Sequence, residues 1–249
     1  EMSKVQETYP HITFKYMWEN LPFSNRIFNK FADEFYGWKF AWSLKPGDVV
    51  FLTNFGNVFF KVVKRKGVKV VHEKTEHPDV YSFKGFNVER YKREVVKVDG
   101  MFVISTALKD YFVSCGLPKE KIEIVNMTVD SNRFVGLTKQ PSEKYIAYCG
   151  TASNNKDGVD ELIKSFAIVN KTHPEVKLYI IGKTPDKNDA SGNLKLIENL
   201  GVKDSIVFTG IVSAADIPQI LKNAAVLALD RPDSLQAQCG FPTKLGEYL

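Results

Sequence analysis

The feature that most constrains this chain is the alternation of short apolar runs with helical patterns in its second half. Tyr145–Cys149, Leu178–Ile181, Ile206–Thr209 and Val226–Leu229 are mostly apolar, and each is followed by glycine or turn residues. Such runs suit strands buried on both faces of a parallel sheet. Between them, Val159, Leu162, Ile163, Phe166 and Val169 recur at helical steps, with Asp157 as the expected N-cap. Leu194, Ile197, Glu198 and Leu200 mark a second helix, ended by Gly201. Residues 215–221 suggest a third, and Pro242 starts a fourth. Strict alternation predicts an α/β fold with a doubly wound parallel sheet.

The first half alternates as well. Val49–Leu52, Val68–Val71, Phe102–Ile104 and Ile122–Val125 have the pattern of strands. Ser105 is placed to cap a helix carrying Leu108, Tyr111 and Phe112, closed by Gly116 and Pro118. Phe28, Phe31, Phe35, Trp38 and Trp42 step along one helical face, which reads as a core seam rather than a membrane or ligand surface. The polar stretch 130–144 lacks periodicity and reads as a linker. The 249 residues therefore divide into an expected N-terminal domain, 1–135, and a C-terminal domain, 136–249.

Three scattered cysteines, Cys115, Cys149 and Cys239, have no paired spacing. They argue against a disulfide framework and a zinc site and suit a reducing, cytoplasmic setting. No apolar run is long enough to cross a bilayer as a helix. The net charge of +5 is too mild to imply nucleic acid. Its basic residues cluster at Lys61, Lys64, Arg65, Lys66 and Lys69, and at Lys84, Arg90, Lys92, Arg93 and Lys97. Either these clusters are solvated surface or they touch an anionic membrane at the inner face of the cell membrane.

In open parallel sheets, ligands bind beyond the carboxyl ends of the strands. There the second half carries a small polar loop, 150–158, with Lys156. Gly182 and Gly210 follow the next two strands. Asp230, Arg231, Asp233, Gln236 and Gln238 follow the last, and lead into Gly240-Phe241-Pro242-Thr243-Lys244-Leu245-Gly246-Glu247. A glycine before a proline-started helix exposes backbone N–H groups that suit an anion. Thr243 adds a hydroxyl, Lys244 a charge, and Glu247 a carboxylate suited to ribose hydroxyls. Together they suggest a phosphate-plus-ribose site. In the first half, His72, Glu73, Glu76 and His77 cluster at a strand's carboxyl end. They are either catalytic or a satisfied histidine beside surface charges.

The runs 148–163, 178–182, 207–211 and 240–249 resemble, in order and spacing, the donor-binding domain of glycosyltransferase family 4. Residues 70–78, 103–105 and 124–134 match it more loosely. The resemblance implies a GT-B architecture of two Rossmann-like domains. It implies retaining, metal-independent transfer from a nucleoside-diphosphate sugar, UDP or GDP, to a saccharide or lipid-linked acceptor in polysaccharide or lipopolysaccharide synthesis. Both domains are expected to be incomplete: residues 9–17 look like a second strand, and the final helix stops within two turns. By the same resemblance, Lys156 meets the donor diphosphate, and Gly240, Phe241, Pro242, Thr243 and Leu245 cradle it. Glu247 binds ribose, Gly210, Ile211 and Val212 meet the base, and His72 or its acidic neighbours face the donor sugar.

Two residues depart from the family's pattern. Cys239 stands where a glutamate approaches the donor sugar, so Asp233, Gln236 or Gln238 would substitute. Thr151 stands where an arginine is common, so Lys156, Arg231 or Lys244 would compensate. Rival readings are a sugar-nucleotide epimerase of the same fold and a non-catalytic nucleotide-sugar-binding subunit. The base, sugar, acceptor and linkage are not named by these residues.

Overall fold

The computed structural model describes residues 7, 10, 11, 35, 37–53, 63, 64, 66–81, 87–152, 154–185, 189 and 191–249. The chain divides into two compact units. One comprises Glu1–Lys74, Asn87–Phe102 and Val113–Glu123, and the other Thr75–Phe86, Val103–Phe112 and Ile124–Leu249. The strand expected across residues 9–17 lies almost wholly outside the described residues, as do Phe28, Phe31, Lys61, Arg65 and Lys84.

The first sheet has four strands in the order β1 (Val49–Leu52), β2 (Lys69–Lys74), β3 (Gly100–Val103) and β4 (Ile122–Ile124). β1 and β2 run parallel, with Val49 opposite Lys69. Helix α1 (Val88–Val95) leads from β2 to β3, and α2 (Thr106–Ser114) from β3 to β4. Asn87 caps α1 by accepting from the Arg90 amide at 2.8 Å. Ser105 Oγ accepts from the Leu108 amide at 3.2 Å, the cap expected from sequence. β2 runs past its apolar stretch through His72, Glu73 and Lys74, and its pairing with β1 reaches His72, opposite Leu52.

The described part of the aromatic stripe departs from its expected core role. Residues 37–43 are helical, but Phe35, Trp38 and Trp42 are 57%, 45% and 58% exposed. The rings meet one another, Phe35–Trp38 at 6.4 Å and Trp38–Trp42 at 5.7 Å, and the Lys66 ammonium lies 5.6 Å from the Trp42 ring. The small side chain of Ala41 is what this turn buries. Several basic-cluster residues are engaged locally: Lys64 pairs with Asp99, Lys92 with Glu89 and Lys97 with Glu94. No helix among the described residues is long and apolar enough to cross a membrane.

The second sheet contains β5 (Tyr145–Cys149), β6 (Lys177–Ile181), β7 (Ile206–Gly210) and β8 (Val226–Leu227), in the order β7-β6-β5-β8. Its β5–β6, β6–β7 and β5–β8 pairs are parallel. The helices are α3 (Asn154–Asp157), α4 (Val159–Thr172), α5 (Asn193–Leu200), α6 (Ile217–Asn223), α7 (Leu235–Cys239) and α8 (Thr243–Tyr248). Side chains alternate along the strands with period two. Tyr148, Leu178 and Ile180 pack on one face with Ile163 and Phe166 of α4 and Ile197 of α5. Tyr145, Ala147 and Ile181 pack on the other with Leu221 of α6. Both faces are covered, which is why the strands read as near-continuous apolar runs.

The chain moves outward from β5 through β6 to β7 and then returns to place β8 on the other side of β5. The strand order therefore reverses between β5 and β8, the position where open α/β sheets leave a crevice. The expected Asp157 cap is not formed. The short helix α3 intervenes, and Gly158, at φ +56°, takes the N-cap position of α4 without a side-chain bond.

Candidate functional site

A cavity of about 590 Å³ opens in the second unit, and the loops that follow β5 and β8 supply much of its wall. It brings together Glu76, Lys156, Arg231, Gln236 and the run Gly240–Lys244, nine of the positions singled out from sequence. Thr75, Ile104, Met127, Gly150, Thr151 and Asp157 complete the lining.

The glycines at the strand ends are there for clearance. A Cβ on Gly150, at φ +152°, would lie 2.3 Å from Lys244 Cε. One on Gly182, at φ +149°, would lie 2.3 Å from the Gly150 carbonyl oxygen. Both backbone conformations are in a region that side chains other than glycine's rarely adopt. This close approach lets Lys244 cross the end of β5.

The three cations of the cavity differ in their surroundings. Lys244 is largely buried. Its ammonium is 2.6 Å from Asp157 Oδ2 and donates to the Tyr148 hydroxyl at 3.0 Å. It also lies 4.6 Å from the Tyr148 ring centroid. The Tyr148 hydroxyl is 2.9 Å from Asp157 and 2.7 Å from the Thr151 carbonyl. Burial, then the Asp157 charge, pushes the Tyr148 hydroxyl pKa far above its ordinary value. Lys156 is half exposed and pairs with Glu76 at 3.3 Å. Glu76 also accepts from Gln236 Nε2 at 3.1 Å. Arg231 donates from Nη2 to the Gln236 carbonyl at 3.4 Å, while its Nε is buried with no hydrogen-bond partner among the described residues.

The remaining residues singled out from sequence do not line this cavity. His72 is 1% exposed in the first unit, and both ring nitrogens are engaged. Nδ1 lies 2.8 Å from the Leu52 carbonyl, and Nε2 lies 3.0 Å from the Tyr91 hydroxyl. Burial lowers its pKa to about 4, so the ring is neutral near pH 7. Both ring nitrogens thus have partners within the first unit. Glu73 follows it on β2. Gly182 donates to the Gly210 carbonyl at 3.2 Å. Ile211 is 86% exposed, and Val212 packs on the α6 side of the sheet. Gln238 donates to Asp233 at 2.8 Å.

Leu245 and Glu247 line a second groove beside β8. The Glu247 carboxylate is committed to Arg133 at 2.6 Å, and Arg133 also donates to the Ala214 carbonyl at 2.7 Å. Glu247 lies one helical turn beyond Lys244 on α8, and its carboxylate reaches Arg133 while Lys244 reaches Asp157. Cys239 is buried, and its carbonyl accepts from Ser105 Oγ at 2.5 Å.

The Tyr148–Asp157 support for Lys244 went unseen in the sequence. Tyr148 sits inside an apolar run and Asp157 in a loop that looks like a cap, so no local signal links them to a lysine 87 residues beyond Asp157. Among the described residues, no group of three or more histidine, cysteine or acidic side chains is placed to hold a metal ion.

Comparison with known proteins bears on this geometry. Residues 130–247 match the family described as glycosyl transferases group 1. Mannosylfructose-phosphate synthase of Agrobacterium fabrum (strain C58 / ATCC 33970) is 26% identical over 141 residues, 51% of this chain and 30% of that protein. The fold is that of GT-B glycosyltransferases. The Anabaena protein HepE in complex with UDP and glucose superposes with a TM-score of 0.61 at 16% identity, over 78% of this chain and 56% of that one. The lipopolysaccharide outer core galactosyltransferase WaaB superposes with a TM-score of 0.58 at 19% identity, over 91% of this chain and 62% of that one. The pneumococcal O-GlcNAc transferase GtfA with UDP and GlcNAc gives 0.59 at 18% identity, over 87% and 42%. The chain thus spans less than two thirds of each of these relatives.

Proposed function

We propose, from the glycosyl transferases group 1 region at residues 130–247, that the protein transfers a sugar from a nucleoside-diphosphate sugar, with UDP as the expected carrier. The acceptor is a saccharide or a lipid-linked saccharide, and the pathway is polysaccharide or lipopolysaccharide synthesis. The observation that carries the reading is the cavity at the β5/β8 reversal, where Lys156, Arg231 and the start of α8 converge. UDP in the HepE and GtfA complexes supports the choice of carrier.

In the reaction, the bond between the anomeric carbon and the β-phosphate oxygen breaks. The diphosphate leaves with the electron pair. The acceptor hydroxyl oxygen bonds to the anomeric carbon on the face the leaving group vacated, and its proton is released. That stereochemistry is retention. The growing charge on the leaving diphosphate is met by Lys156 and by the backbone N–H groups that begin α8, which have no partner inside their own helix. No metal is needed for that step in this proposal.

The test is turnover of UDP-, GDP- and ADP-sugars by the protein with saccharide acceptors. Lys156→Ala is expected to lower kcat/KM for the donor by tenfold or more. EDTA is expected to leave turnover unchanged, and a strict manganese requirement would overturn the metal-free step. Donor bound but never transferred would favour a non-catalytic binding subunit. Donor converted to an epimer without acceptor would favour an epimerase.

A further inference from the structure

Three cations face one cavity, and their different surroundings separate their roles. Lys244 has a buried counter-ion. Asp157 is 6% and Lys244 18% exposed by side chain, and they lie 2.6 Å apart with the Tyr148 hydroxyl completing the set. A diphosphate drawn to this ammonium would meet the Asp157 carboxylate behind it. Lys156 is paired too, but with Glu76 at 3.3 Å and with half its side chain in solvent. A long exposed side chain exchanges such a weak partner readily.

Arg231 is different from both. Its Nε is buried and lacks a hydrogen-bond partner among the described residues, and its Nη2 contact with the Gln236 carbonyl is long, at 3.4 Å. A buried guanidinium N–H left unsatisfied is unfavourable in the empty protein. Arg231 lines the cavity, where a small turn of its planar guanidinium fork would offer a phosphate two parallel hydrogen bonds. Gly240 allows the close packing of this loop, since a Cβ on it would stand 2.8 Å from the Gln236 carbonyl oxygen and 3.8 Å from Arg231 Nη2. The loop after β8 therefore places a guanidinium in the cavity wall where the strand order reverses.

We infer that Arg231, rather than Lys244, is the second cation for the donor's diphosphate, supplying from the β8 loop the charge that Thr151 does not supply from the β5 loop. Lys244 is then a cavity-wall residue held by Asp157 and Tyr148. The inference rests on the nucleotide-sugar reading above and assigns residues within it.

The experiment is calorimetric titration of the wild type, Arg231→Gln and Arg231→Lys with UDP, GDP and ADP and with the parent nucleosides. The ratio of diphosphate to nucleoside affinity reads the phosphate contact and cancels changes in the base site. The expected result is a ratio at least tenfold lower in Arg231→Gln and reduced in Arg231→Lys, which keeps the charge but loses the fork. If Arg231→Gln does not fold, Arg231→Lys supplies the reading alone. Ratios within twofold of wild type in the folded variants would overturn the role of Arg231 while leaving the nucleotide-sugar reading intact. A wild type that binds none of the three diphosphates would overturn both.

Discussion

Removing one member of the Asp157–Lys244 pair should be among the most damaging single changes in the second unit. In Asp157→Ala the Tyr148 hydroxyl keeps the Thr151 carbonyl at 2.7 Å, so the tyrosine remains satisfied. The lysine does not. Its ammonium, with 18% of the side chain exposed, is left with the Tyr148 hydroxyl at 3.0 Å and no counter-charge. Breaking a buried ion pair by deleting one partner costs about 3–5 kcal/mol, because a charge is stranded out of water. In a protein of this size each kcal/mol lowers Tm by roughly 2–4 °C. The lower bound of 3 kcal/mol therefore corresponds to a fall of about 6–12 °C. Lys244→Met should do comparable harm by stranding the carboxylate. The double variant Asp157→Ala/Lys244→Met removes both charges and should lose less stability than the two single losses summed. Urea unfolding of the four proteins gives the coupling free energy directly. Single losses below about 1 kcal/mol that simply add in the double variant would refute the buried-pair account.

Other measurements test other parts of the structure. His72 has a folded-state pKa near 4 against an unfolded value of 6.5, so the unfolded chain takes up the proton first as pH falls. The stability associated with its burial is complete above pH 6.5 and should fall by about 3 kcal/mol between pH 6.5 and pH 4. In His72→Phe, this part of the pH dependence should vanish in urea titrations across that window; an unchanged slope would reject the neutral, buried ring. Gly182→Ala should destabilise by more than about 2 kcal/mol or prevent folding, since its Cβ meets backbone at 2.3 Å from a strained φ, and a Tm within 2 °C of wild type would contradict the close approach. The partly exposed Arg133–Glu247 pair should contribute little, about 1 kcal/mol for either alanine variant by thermal unfolding. A tenfold loss of donor affinity in Glu247→Ala would support the ribose-binding role expected from sequence.

Much of the second sheet was legible in the sequence because its strands are buried on both faces. Burial on both sides removes polar alternation, so Tyr145–Cys149 stands out as a strand without any knowledge of its neighbours, and the helices between strands show their stripes in the same way. The cluster of Lys156 and residues 240–244 was legible too, since carboxyl-end loops of a parallel sheet must converge once the strand order is known to reverse. The aromatic stripe at Phe35, Trp38 and Trp42 was not. Periodicity identifies a face, but whether anything packs on that face depends on other elements.

What the sequence determined by itself was the identity and order of the α/β elements, through local periodicity and turn residues acting over a few positions. Tertiary structure alone decided which charges pair. Asp157 read as a helix cap and is instead the counter-ion of Lys244, while Glu247 read as a ribose ligand and is held by Arg133. Electrostatic partners are chosen by distance in space, and a few ångströms across a strand end correspond to 87 or 114 positions along the chain, where no sequence period reaches.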